Sequence, residues 1–360
     1  MKQLIKPQKL SPGDRIATVS LSWGGAGDDE IKWRYSQGKE RIKKLFDLDV
    51  VEMPHTLAGT DYVYKHPEAR AEDMMAAFAD KKIKGIISCI GGDDTIRLLP
   101  FIDYGTIRSN PKVFMGYSDT TTNHLMCYKA GLSSIYGPAI LTDFAENIQM
   151  SDYTVHWLRK TLFSDEPIGK IPPSVTWTSE MLRWVIENKD TARKFNTNQG
   201  YELLQGSGMA KGRLIGGCMD VFDLLRGTEL FPTLDDFNGA ILFLETSEEM
   251  PAPNSLQYSL RIFGAMGVLE RLNGIVFGKP FDNKYYNEYK PIIQKALLEY
   301  GRNDLPVLYN LSFGHCEPKF CIPYGAIAEI DCDRNAFTIL ESGVVTPARQ
   351  VQRHDLCFHA

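Results

Sequence analysis

The stretch KVFMGYSDTTTNHL, Lys112 to Leu125, sets a serine two residues after a glycine, between an apolar run and a helix-starting sequence. A serine attacks a carbonyl only when a turn exposes its hydroxyl and a neighbouring base removes its proton. Gly116 permits the tight turn, and the first NH groups of a helix beginning at SDTTTNHL are suited to face an oxyanion. The match to the G-x-S-x-G elbow of α/β-hydrolases is partial, because Thr120 stands where the second glycine belongs. Ser118, Asp119 and Thr120 are also preferred helix caps, so an ordinary helix start fits the same letters.

A second turn, CIGGDDTIRLLP, joins a buried strand to a helix at Gly91 and Gly92. Glycine-rich turns bare their NH groups, and Gly92 could share an oxyanion with the NH of Asp119. G-G-D-D lacks the G-x-G-x-x-G spacing of a dinucleotide site, and a plain tight turn is the simpler reading. The base should be a histidine, whose ordinary pKa lies near neutrality. His315, closing the apolar run PVLYNLSFG, is the best placed. His55 also follows a strand, His124 and His156 fall in helical patterns, and His354 and His359 lie in the terminal tail. A carboxylate must orient the imidazole. Glu245, directly after the apolar residues AILFL, is costly to bury without a partner, whereas Glu248 and Glu249 read as solvated alternatives.

These groups need a scaffold, and the first part of the chain alternates β-rich runs (RIATVSLS, VVEMPH, GIISCIGG, VFMGYS, SIYGPAI) with amphipathic stretches. Alternation of this kind predicts a parallel sheet flanked by helices, with ligands at the carboxyl ends of its strands. The pattern loosens from about Ser164 to Gly208, a segment with prolines and two tryptophans. It resumes from AKGRLIGGC with strands at AILFLETSE, NGIVFGKP, PVLYNLSFGH, AIAEIDCD and AFTILES. The expected organisation is an amino-terminal α/β domain over 1–165, a linking insertion and substrate loop over 166–210, and a strand-rich α/β domain over 211–360. At 360 residues, two domains are the natural prior. A formal net charge of −5 argues against a nucleic-acid partner. The absence of an apolar run of spanning length argues against a membrane partner. Seven cysteines, with no C-x-x-C pair, suit reduced thiols and a cytoplasmic location. There is no HExxH, and the histidines and cysteines show no paired ligand spacing, which argues against a metal hydrolase.

Taken in order, SPGDRIATVSLSWGG, IGGDDTIRLLP, FMGYSDTT, YGPAIL, the tryptophan-bearing connection, GRLIGG, LFLETSEE and FGH resemble the LD-carboxypeptidase family of serine peptidases over nearly the whole chain. The likeness is greatest to its microcin C immunity branch, which shares IGGDD and the longer insertion. The resemblance implies a Rossmann-like amino-terminal domain of the glutamine amidotransferase and flavodoxin type, and a carboxy-terminal α/β domain with a barrel-like part. It carries the catalytic serine, glutamate and histidine to Ser118, Glu245 and His315, and the oxyanion donors to the NH groups of Gly92 and Asp119. It implies no cofactor, a small-molecule substrate, a site between the domains, and a homodimer. The branch's nucleobase contact falls on Trp184, with Trp177 as the other candidate; either tryptophan would equally serve to pin the loop. Gly91, Asp93, Gly216 and Gly217 are expected near substrate, and Lys279 and Glu317 are weaker candidates. The implied reaction is hydrolysis of the amide of a peptidyl- or aminoacyl-nucleotide. Its alternatives are LD-carboxypeptidase action on murein tetrapeptides, an α/β-hydrolase proper, and a two-domain small-molecule binder without catalysis.

Overall fold

The computed structural model describes residues 3–346. Its first five strands are β1 (Arg15–Val19), β2 (Asp49–Glu52), β3 (Ile83–Ser88), β4 (Val113–Gly116) and β5 (Ile135–Tyr136). They pair in parallel in the order β5-β4-β3-β1-β2. In β3 and β4 nearly every residue is buried, the continuous apolar reading of a parallel strand covered on both faces. The main crossover helices are α1 (Lys32–Phe46), α2 (Thr60–Lys65), α3 (Pro67–Ala79), α4 (Tyr104–Ser109), α5 (Thr120–Ala130) and α6 (Asp152–Leu162).

The rest of the strands are β6 (Gly169–Ile171), β7 (Thr176–Trp177), β8 (Asn196–Thr197), β9 (Glu202–Gln205), β10 (Met209–Cys218), β11 (Ala240–Glu245), β12 (Gly274–Gly278), β13 (Val307–Leu311), β14 (Ile322–Pro323), β15 (Ile327–Asp331) and β16 (Ala336–Ile339). Eight of these form a second sheet in the order β6-β16-β15-β10-β11-β12-β13-β9. Its centre, β10 to β13, is parallel, and both flanks are antiparallel. Helices α7 (Met219–Leu224), α8 (Pro253–Ala265) and α9 (Tyr286–Glu299) belong to this half. None of the described helices is long and apolar enough to cross a membrane.

Two exchanges stitch the halves together. Strand β14, from the second half, pairs antiparallel with β5 at the edge of the first sheet. The segment between the halves supplies the two outer strands of the second sheet, β6 and β9, besides the small β7–β8 ribbon. Helix α5 has no solvent face to speak of: all its residues but Lys129 are buried, polar ones included. Its first turn meets the end of β10, where the Cys218 NH donates to Thr121 Oγ1 at 3.1 Å. Gly217 makes this approach possible, and Gly216 the close packing of β10 on β11. A side chain at Gly216 would begin 1.8 Å from Phe243 O, and one at Gly217 2.4 Å from Thr121 Cγ2.

Candidate active site

Ser118, Glu245, His315 and the Gly91–Gly92 turn stand at or just past the carboxyl ends of parallel strands, as the sheet rule predicts. Trp23 follows β1, Gly91 and Gly92 follow β3, and Ser118 follows β4. Glu245 ends β11, and His315 comes after β13. The candidate nucleophile and the candidate acid–base pair therefore belong to different sheets, unlike the single compact domain of an α/β-hydrolase.

Ser118 has φ 63°, a left-handed conformation uncommon for a residue with a side chain and frequent at functional turns. Gly116 lets the turn fold back, since a side chain there would begin 2.7 Å from Thr120 Cγ2. Register sets Gly116 beside Tyr136 of β5. The Tyr136 hydroxyl accepts the Ser118 NH at 3.2 Å and donates to Glu245 Oε1. Burial first, and Glu245 second, push this phenol well above its usual pKa, so it stays a donor.

Glu245 is fully buried, and its Oε2 meets His315 Nδ1 at 2.7 Å. Burial would raise its carboxyl; the charge and hydrogen bond of His315, helped by Tyr136 and Lys319, outweigh burial and hold it below the usual range. For His315, burial would lower the imidazole, but Glu245 and then Glu248 prevail and leave it raised. Gly314, at φ 94°, is needed here: a side chain on it would begin 2.7 Å from Glu245 Oε2. The ring of Tyr117, the residue before the nucleophile, meets the His315 ring edge-on at 4.9 Å, and Lys319 Nζ lies 3.7 Å from the Tyr117 centroid. His315 Nε2, the nitrogen left for Ser118, has no hydrogen bond among the described residues, and Glu248 Oε2 stands 3.2 Å from it. Catalytic hydrogen bonds commonly tighten only with substrate present.

The Gly91–Gly92 turn lies against this nucleophile. A side chain at Gly91 would begin 2.8 Å from Ser118 Oγ and 3.1 Å from the Asp119 nitrogen. Gly92 is exposed at φ 142°. Asp119 has a role that sequence reasoning missed. Its Oδ2 accepts from Ser22 Oγ (2.6 Å) and from the NH groups of Asp94 (3.0 Å) and Thr95 (2.9 Å), clamping the glycine turn to the nucleophile turn. Asp93 is exposed beside it.

Other expectations change. Gly216 and Gly217 are buried, and each stands where a side chain would collide with its neighbours. Trp177 is 6% exposed with Lys279 Nζ 4.4 Å from its ring centroid, so it pins the connection instead of offering a free face. Lys279 is buried and lowered to about 8 by that burial. Glu317 is held by Arg193 and lies 3.6 Å from Lys319 Nζ, within an ion cluster. Trp184 is half-buried, stacked on Trp23 at 6.1 Å with Arg34 4.8 Å from its ring centroid. Trp23 and Tyr136 were missed; both follow or end first-sheet strands, the signal that could have found them.

Among the alternative histidines, His55 pairs with Asp73 at 2.9 Å, and His156 packs edge-on against Trp157. His124 bonds Ser134 and Gly116 O, lowered to about 4 by burial. His354 and His359 lie outside the described residues. Cys218, Glu245 and His315 bring donor atoms within 4.8 Å of one another, a cluster invisible in the linear spacing. Both Glu245 oxygens and Nδ1 are already hydrogen-bonded, and burial pushes the Cys218 thiol well above its usual pKa, so the cluster is a hydrogen-bonded carboxylate–imidazole pair beside a thiol. A cavity of about 390 Å³ lies elsewhere, against Glu146, Tyr153, Thr176, Arg193, Phe195 and Glu317, and none of the three candidate catalytic side chains lines it.

Comparison with known proteins gives the family of the chain. A family model for the LD-carboxypeptidase N-terminal domain matches residues 16–137, and one for the LD-carboxypeptidase C-terminal domain matches residues 211–330. The chain is 31% identical to the microcin C7 self-immunity protein MccF of Escherichia coli, over 94% of this chain and 96% of that protein. It is 28% identical to a probable murein peptide carboxypeptidase of Bacillus subtilis, over 80% and 79%. An MccF-like protein from Streptococcus pneumoniae, solved in complex with AMP, superposes with a TM-score of 0.83 at 36% identity, covering 91% of this chain and 98% of the other. MccF itself has been solved in complex with aspartyl sulfamoyl adenosine.

Proposed function

Since the chain belongs to the LD-carboxypeptidase family and is a serine hydrolase of peptide-type bonds, we propose that it cleaves the amide joining an amino acid or peptide to a nucleotide-like group, through Ser118, Glu245 and His315. The observation that carries this reading is the buried Glu245–His315 pair, at 2.7 Å, linked through the Tyr136 hydroxyl to the strained turn of Ser118.

In this mechanism Ser118 Oγ attacks the amide carbonyl and its proton passes to His315 Nε2. Glu245 balances the imidazolium. The NH groups of Gly92 and Asp119 receive the oxyanion, held in place by the Asp119 carboxylate. His315 then gives the proton to the leaving nitrogen, the C–N bond breaks, and an acyl-Ser118 ester remains. Water, deprotonated by His315, hydrolyses the ester and restores Ser118. Trp184 offers the aromatic plane for the base; such stacking is worth about 1–3 kcal/mol. The AMP complex of the streptococcal relative and the aspartyl sulfamoyl adenosine complex of MccF support a nucleotide-bearing substrate. The cytoplasmic location and homodimer expected from the sequence belong to the same proposal, and fractionation and sedimentation test them.

The likeness to a murein peptide carboxypeptidase favours a second reading, cleavage of the terminal bond of murein tetrapeptides. Incubating the protein with an aminoacyl sulfamoyl adenosine and with a murein tetrapeptide, followed by mass spectrometry, separates the two. Release from the nucleotide compound is expected; release from the tetrapeptide alone would reverse the assignment. Ser118→Ala should lower turnover by at least about 10⁴-fold while binding persists. Unchanged turnover would remove Ser118 from the mechanism.

A further inference from the structure

Beyond Glu245, the loop after β11 presents a second carboxylate to the same imidazole. Glu248 Oε2 lies 3.2 Å from His315 Nε2, while Glu245 Oε2 holds Nδ1. The His315 side chain is 6% exposed and that of Glu248 47%, so Glu248 reaches inward from the mouth of the site. Among the described residues Nε2 has no hydrogen bond, and Glu248 acts on it by charge. The loop itself is tied down. Asp220 Oδ2 accepts both the NH and the hydroxyl of Ser247, at 3.2 and 2.6 Å, and Ser247 Oγ accepts the NH of Glu249 at 3.2 Å.

Nε2 must take the proton of Ser118, so the scissile carbonyl has to lie beside it. In an aminoacyl group the α-nitrogen is about 2.5 Å from the carbonyl carbon, two bonds along the backbone. A free α-ammonium is thereby carried to the neighbourhood of the Glu248 carboxylate. We infer that Glu248 is a specificity-determining residue that receives the free α-ammonium of the acyl group, selecting aminoacyl compounds over peptidyl compounds whose α-nitrogen is blocked. The exchange also serves the chemistry. After Glu245, the Glu248 charge adds to the rise of the imidazole pKa, and an ammonium that neutralises Glu248 offsets that contribution and favours the neutral base. This assignment rests on the amidase reading above, narrowed to one class of its substrates.

The test uses alanyl sulfamoyl adenosine and its N-acetyl derivative. Wild type should prefer the free amine by at least about tenfold in kcat/KM, as a charge-assisted contact allows. Glu248→Gln should bring that ratio toward one, mainly through the KM of the free-amine probe, and Glu248→Asp should restore part of it. A wild-type ratio near one, or a ratio unaltered in Glu248→Gln, overturns the assignment. Calorimetry on Ser118→Ala, with and without Glu248→Gln, separates the two layers. If wild type hydrolyses neither probe but Ser118→Ala binds the free amine at least tenfold tighter, and Glu248→Gln erases the difference, only the amidase reading falls. Equal binding of both probes overturns the role of Glu248.

Discussion

His315 is flanked by Glu245 from β11, Glu248 from the loop that follows, the Tyr117 ring, and Lys319 from its own segment. The net effect raises its pKa above the ordinary imidazole value of about 6.5. A general base must be neutral, so kcat/KM should climb with pH on a limb centred above that value. Removing the Glu248 charge in Glu248→Gln destabilises the imidazolium and should move the limb to lower pH. A pH–rate profile of both proteins checks the sign, and a shift upward would contradict it. Of the residues involved, Ser118, Glu245 and His315 were legible because each ends a recognisable run. Glu248 read as solvated because its reach toward Nε2 depends on a loop conformation that no spacing encodes.

The glycine turn after β3 and the serine turn after β4 work as one element, since β3 and β4 are neighbours and Asp119 clamps the two turns. Gly91 is the contact between them. Its Cα faces the nucleophile so closely that Gly91→Ala would set a methyl 2.7 Å from Ser118 Cβ and 2.8 Å from Oγ. The substitution should displace the oxyanion donors and lower kcat by about 10²-fold or more, the scale seen when one such donor is lost. Steady-state kinetics beside circular dichroism check this; near-wild-type kcat in a folded protein would separate the turn from catalysis. The sequence marked both glycines as a bare turn and Asp119 as a cap donating its NH. Its carboxylate clamp escaped notice, because the clamp joins residues 24 and 97 positions apart through sheet order.

Across the whole molecule, the Arg193 guanidinium from the tryptophan-bearing connection sits between Glu146 of the first half and Glu317, two residues beyond His315. Asn147 extends the joint, its side-chain amide donating to Asn188 O at 2.8 Å and Thr191 O at 2.9 Å. The side chains of the ion triad are only 11–13% exposed. Arg193→Met removes the cation from Glu146 and leaves Glu317 with Lys319 alone, and breaking such a mostly buried pair costs about 3–5 kcal/mol. Urea unfolding should show a loss of that order; a loss below about 1 kcal/mol would mean that the network is solvated in practice. The alternation of strands and helices and a parallel first sheet were readable from hydrophobic periodicity. The capture of β14 by the first sheet, and of β6 and β9 by the second, was not, since short edge strands carry too few residues for a period to register.

By itself the sequence determined the local chemistry: a serine on a turn that Gly116 permits, a glutamate ending an apolar strand, a histidine closing another, and bare glycines after β3. Backbone conformation and side-chain periodicity are set by neighbouring residues, so they survive in a linear reading. Only the tertiary structure decided the pairings. Glu245 meets His315 across 70 positions and Tyr136 across 109. Glu248 turns toward Nε2, Gly216 and Gly217 become packing residues, and Trp177 closes against Lys279. Each of these depends on strand register and on how two sheets present their carboxyl ends to one another, and long-range packing, not spacing along the chain, sets those distances.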